Sequence, residues 1–111
     1  MNKIRRQEIC SVISTLNGLI QRTKNGDKNY VVAALNDIID DINTIYCDEE
    51  EYKDNIPENL QSGYRYESAE EACDNLESAQ DALEYIDEDD SEETIINSLQ
   101  EAIGYLDDAS C

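Results

Sequence analysis

The residues with the most chemistry to offer in this chain are carboxylates set in a regular row. Glu70, Asp74, Glu77, Asp81, Glu84 and Glu88 recur at steps of three and four, the spacing that places side chains on one face of an α-helix. At a rise of about 1.5 Å per residue, neighbouring carboxylates stand about 5 to 6 Å apart along the axis, comparable to the phosphate repeat of a nucleic-acid strand. A rigid helix carrying them could occupy a cationic groove built for DNA or RNA. The plainer alternative is a solvated face of an amphipathic helix with no further task.

Other chemistries find less support. Acid–base catalysis by paired carboxylates needs one member desolvated in a pocket, and no stretch marks one. Cys10, Cys47, Cys73 and Cys111 are dispersed, with no C-x-x-C pair, and the chain has no His. A structural zinc therefore lacks clustered ligands, and a nucleophilic Cys lacks its usual base. Three of the four fall in helical patterns near apolar positions, where a reduced Cys acts as a small hydrophobe. The acidic run from Asp87 to Glu93 invites a calcium loop, but an EF-hand frame from Asp87 needs Gly where Glu92 stands and Glu where Ser98 stands. The expectation is a protein without catalytic residues, metal or cofactor. Tyr64, Arg65 and Tyr66 interrupt the acidic region with side-chain types enriched at binding hot spots; the alternative is a cluster that packs a loop over helix ends. Lys3, Arg5 and Arg6 suit a phosphate or, more simply, the chain's own acids.

Charge narrows the choice of partner. The formal net charge is -19 over 111 residues, well beyond what keeps a small domain soluble. Residues 1–28 carry six cations against two acids, whereas the remainder carries Lys53 and Arg65 against 25 acids. That surface repels phosphate, so direct nucleic-acid binding is disfavoured. A basic protein is the favoured partner, a nucleic-acid-binding nuclease among them, with a homodimer as a further option. The N-terminus has no apolar stretch of signal-peptide length and no segment is apolar enough to span a membrane, so the expectation is a soluble protein of a reducing cytoplasm.

Four helices must position these residues, in one domain over residues 1–111. The first is expected over about 3–23, with Ile9, Ile13, Leu16 and Ile20 on its stripe and Val12 and Leu19 widening it. Asn25-Gly26-Asp27 supplies a stop and a start, Gly26 suiting the left-handed position and Asp27 an N-cap. The second runs over about 28–54; Val31, Leu35, Ile38, Ile42, Ile45 and Tyr52 hold its register, broken at Glu49. The four acids Asp48 to Glu51 oppose the macrodipole there, so fraying or a partner is expected. Pro57 ends the connection and could open one more turn up to Gln61. The third spans about 68–88, with Ala69, Ala72, Leu76, Ala79, Leu83 and Ile86 on its apolar stripe and a Ser68/Glu71 capping box at its start. Asp90 and Glu93 repeat that box before a fourth helix over about 91–109, whose stripe is Ile95, Leu99, Ala102, Leu106 and Ala109. Ser78–Asp87 matches Ser98–Asp107 at a shift of twenty, as expected of two short acidic helices with one job. The predicted fold is all-α: a four-helix bundle whose last two helices form an antiparallel hairpin packed on the second.

The stretches Asn2-Lys3-Ile4-Arg5-Arg6, Asp54-Asn55-Ile56-Pro57-Glu58-Asn59-Leu60-Gln61, Arg65-Tyr66-Glu67 and Ala69-Glu70-Glu71-Ala72, with the spacing of Leu76, Ala79 and Leu83, resemble a group of small acidic helical proteins from phages and mobile elements of Gram-positive bacteria. The resemblance covers roughly residues 2 to 6 and 48 to 87. It implies a helical fold and a mobile-element setting, in which an anti-defence role of the anti-CRISPR type, inside the host bacterial cytoplasm, is the expectation. The break at Asn25 to Asp27 departs from the pattern, where the others are expected to run on. Two functions are therefore expected in order: inhibition of a bacterial defence nuclease through acidic helices laid in its nucleic-acid channel, then a self-associating helical interaction module whose acids serve only solubility.

Overall fold

The computed structural model describes residues 1–110; Cys111 lies outside the described residues. Four α-helices follow one another, α1 (Lys3–Lys24), α2 (Lys28–Asp54), α3 (Tyr64–Glu84) and α4 (Glu92–Ser110), with a 3-10 turn at Glu58–Leu60 between α2 and α3. Each helix packs on its neighbour in the chain, and α4 closes the ring against α1. The result is an antiparallel four-helix bundle measuring 52 × 21 × 19 Å. The hairpin of α3 and α4 forms as expected, but only α3 lies on α2; α4 takes α1 as its second partner. A four-membered ring lets every helix bury its stripe against two others, which a hairpin lying on one helix cannot do.

Most residues of the stripes read from periodicity line the interior, but Ile13 is only half-buried and Tyr52 is exposed at the end of α2. Ile9, Leu16, Val31, Ile42, Leu76, Ala79, Ile95, Leu99, Ala102 and Leu106 are all fully buried. Among the described residues no aromatic ring is fully buried, and Ala at 69, 72, 79, 102 and 109 lets the helices approach closely. The α1–α2 turn is a Schellman motif: the Asp27 N–H donates to Arg22 O at 2.9 Å and the Gly26 N–H to Thr23 O at 3.1 Å. Gly26 stands at φ 90, the left-handed position that a Cβ would strain. Asp27 precedes α2 but makes no side-chain cap bond. Its carboxylate instead faces Arg22 Nη1 at 3.7 Å.

Glu49 does not break the α2 register. It is fully buried in the position the periodicity reserves for a core residue, and Arg5 Nε of α1 donates to its Oε2 at 2.6 Å. Arg5 also lies over the Tyr52 ring, 5.5 Å from its centroid. Glu50 accepts from the Tyr46 hydroxyl at 2.7 Å. Two of the four consecutive acids thus have a bonding partner inside the chain, and α2 continues to Asp54. One buried side-chain oxygen among the described residues has no hydrogen-bond partner, Glu49 Oε1.

Both expected capping boxes are corrected. α3 begins at Tyr64 with Gly63 as its N-cap, so Ser68 sits inside the helix. The 3-10 turn explains the shift: Leu60 N–H donates to Pro57 O and Gly63 N–H to Leu60 O, which delivers the chain to the helix axis one turn ahead of Ser68. A Cβ on Gly63 would stand 3.2 Å from Leu60 O, tight enough to favour Gly there. Before α4, Ser91 is the capping residue, its Oγ accepting the Thr94 N–H at 3.2 Å. Asp90 is occupied otherwise, accepting from the Asp87 N–H at 2.9 Å, while Asp87 accepts from the Asp89 N–H at 3.0 Å. Carboxylates that bond their own backbone compete with the helix, and α3 accordingly stops at Glu84. Ile86, just beyond, still reaches the core.

Candidate partner-binding surface

The acidic row emerges on the outer face of α3. Glu70, Asp74, Glu77, Asp81 and Glu84 are all exposed, opposite the buried Ala69, Ala72, Leu76, Ala79 and Leu83. Glu88 is exposed too but lies in the α3–α4 loop rather than on the helix. From Glu70 to Glu84 the row runs about 21 Å at helical rise. Glu77, Asp81 and Glu84 also edge a shallow groove of about 230 Å³ between α2 and α3, with Asn43, Tyr46 and Gln80 on its walls. The Tyr46 hydroxyl there is held well above its ordinary pKa, first by its bond to Glu50, then by burial and the negative charge nearby. The charges of Glu50 and Glu77 add the smaller part of that push.

Among the described residues, no ion pair neutralises this face. The ion pairs among the described residues are Arg5–Glu49 and Arg22–Asp27, and neither uses an acid of α3. Three further basic residues have other tasks: Arg22 stacks on Tyr30 at 3.9 Å, Lys28 Nζ donates to Asp90 O at 2.8 Å, and Lys53 lies 5.9 Å from the Tyr66 centroid. Arg5 meets the expectation that the basic N-terminus would pair internally. α4 adds Glu92, Glu93, Glu101, Asp107 and Asp108 with no cation.

Tyr64, Arg65 and Tyr66 do not form one cluster. As the first turn of α3, they point about 100° apart around the axis. Tyr64 and Arg65 are exposed beside the 3-10 turn, and Tyr66 is half-buried against Lys53. The thiols also separate. Cys73 is buried, and burial pushes its pKa up to about 11. Cys10 and Cys47 are exposed, against the expectation of small hydrophobes near the core. Among the described residues, no three His, Cys, Asp or Glu side chains converge on a metal position, and no helix is long and apolar enough to cross a membrane.

Sequence reasoning missed Glu49 as a core residue; the signal was present in its heptad position between Ile45 and Tyr52. It also missed a groove beside the 3-10 turn, lined by Tyr52, Leu60, Tyr64 and Arg65 among others and by no acid, which depends on how α2 and α3 meet. Neither protein-family models, curated proteins nor solved structures produce a match to this chain.

Proposed function

We propose that the protein is an inhibitor of a bacterial defence nuclease, of the anti-CRISPR kind, that occupies a basic nucleic-acid channel with its acidic helices. The observation that carries this reading is the unneutralised row on α3, five exposed carboxylates on one rigid face with no cation paired to them. Helix faces that serve only solubility mix signs and gain from i, i+4 pairs; this one forgoes them. Binding is electrostatic competition: the carboxylates stand where phosphates would, and channel Lys and Arg residues exchange one for the other. A self-assembling module would use free apolar stripes, and here most stripe residues are buried within one chain.

The test is reversal of Glu70, Asp74, Glu77 and Asp81 to Lys, assayed against a panel of host RNA-guided and other defence nucleases. Cleavage should be inhibited by the native protein, less so as salt rises, and not at all by the variant at unchanged helix content. Inhibition that survives the reversal overturns the reading.

A further inference from the structure

One surface departs from the chemistry of the rest. Where α2 gives way to α3, Tyr52, Ile56, Pro57, Leu60, Tyr64 and Arg65 line an open groove of about 570 Å³. Its lining contains no acid, in a chain with 27 acids among 111 residues. Leu60 is 56% exposed and Tyr64 83%, so these side chains serve no core. The groove is preformed: Leu60 N–H to Pro57 O at 2.8 Å and Gly63 N–H to Leu60 O at 3.0 Å hold the 3-10 turn that shapes it. A rigid apolar recess loses little entropy on binding.

Charge complementarity selects the occupant. The exposed acids Glu51, Asp54, Glu58 and Glu67 stand on the elements that flank the groove, so cations are drawn to its surroundings. Inside, Arg65 repels a cation and offers its guanidinium to the face of an aromatic ring. Two tyrosines and three aliphatic or proline side chains complete an environment suited to such a ring. We infer that the groove seats an aromatic side chain flanked by Lys or Arg, presented by a segment of the basic partner. This rests on the reading that the partner is basic, and adds a salt-insensitive anchor to the electrostatic face. A second copy of this chain would bring another -19 charges and is opposed by self-repulsion.

The chain has no Trp, so a Trp-bearing probe reports the groove without background. Titration with the peptide Lys-Lys-Trp-Lys-Lys, against matched peptides with Ala or Leu at the centre, measures the anchor. The Trp peptide should bind the native protein about tenfold tighter than the Ala peptide, with blue-shifted emission, and keep that advantage as salt rises. Leu60→Ser with Tyr64→Ser, both exposed positions, should erase the advantage and the shift while leaving the Ala peptide's affinity unchanged. Reversing Glu51, Asp54 and Glu58 to Lys should weaken all peptides alike, and a loss confined to the Trp peptide overturns the assignment of the flanking cations to these acids. Equal affinity for the Trp and Ala peptides, a Leu peptide as tight as the Trp one, or a blue shift that persists in the double variant overturns the inference. So does a dimer in sedimentation that the double variant dissolves, which would assign the groove to a second copy. If the Trp advantage holds but no nuclease is inhibited, the groove stands and the nuclease reading falls.

Discussion

Arg5 and Glu49 make the most consequential side-chain pair in the molecule. The Glu49 side chain is fully buried and that of Arg5 is 12% exposed, so neither is well served by water once the other is gone. Removing one partner of such a pair costs about 3 to 5 kcal/mol, because a charge is left buried alone. Arg5→Ala should therefore lower the unfolding free energy by about 3 kcal/mol in urea titration, and Arg5→Met with Glu49→Leu should recover most of it. Cys73 gives a second test. Its pKa rises from 9.0 to about 11 in the fold, so between those values the folded state holds a proton that the unfolded state has released. Stability is fully present below pH 9 and falls as pH rises toward 11; Cys73→Ala should flatten that part of the profile. At pH 8, alkylation followed by mass mapping should label Cys10 and Cys47 quickly and Cys73 only as the chain opens.

The helices owe their ends to chemistry that a sequence pattern can misplace. Ser68 and Glu71 have the form of a capping box, yet Ser68 lies within α3; Ser68→Ala should change the unfolding free energy by less than about 0.5 kcal/mol. Ser91→Ala, by contrast, should cost about 1 kcal/mol, since Ser91 Oγ satisfies the Thr94 N–H. Gly26→Ala should cost about 1 kcal/mol or more by forcing a Cβ into a left-handed backbone. The interiors of the helices were legible without the structure: every predicted stripe residue of α3 and α4 is buried, because a 3.6-residue period is a local property. Their ends were less so. The caps fell at Gly63 rather than Ser68 and at Ser91 rather than Asp90, because each depends on where the preceding turn delivers the chain.

The whole molecule is a compact rod with a large excess of negative charge. With a formal charge of -19 and two ion pairs among the described residues, self-repulsion opposes folding at low ionic strength. Raising salt from about 0.01 to 0.15 M shortens the Debye length from about 30 to 8 Å, and the midpoint of thermal unfolding should rise with it. The acid-reversed α3 variant should be at least as stable as the native chain at low salt, though it should no longer bind a basic partner. That opposition of stability and binding separates a functional acidic face from one that only keeps the protein dissolved.

Sequence alone determined four helices, most of their buried stripes, the turn at Gly26 and the exposure of the acidic row, since each follows from spacing within a few residues; Ile13, Glu49 and Tyr52 are the stripe positions it misjudged. Glu70, Asp74, Glu77, Asp81 and Glu84 stand where periodicity put them. Tertiary structure decided which stripe meets which: α4 lies on α1, and Glu49 finds Arg5 across 44 residues of chain. It also decided that Tyr64 and Arg65 join Tyr52 and Leu60 in an acid-free groove while Tyr66 turns away to Lys53. Periodicity specifies the face a helix buries but carries no information on the face it meets. That pairing is settled by close packing among all four helices at once.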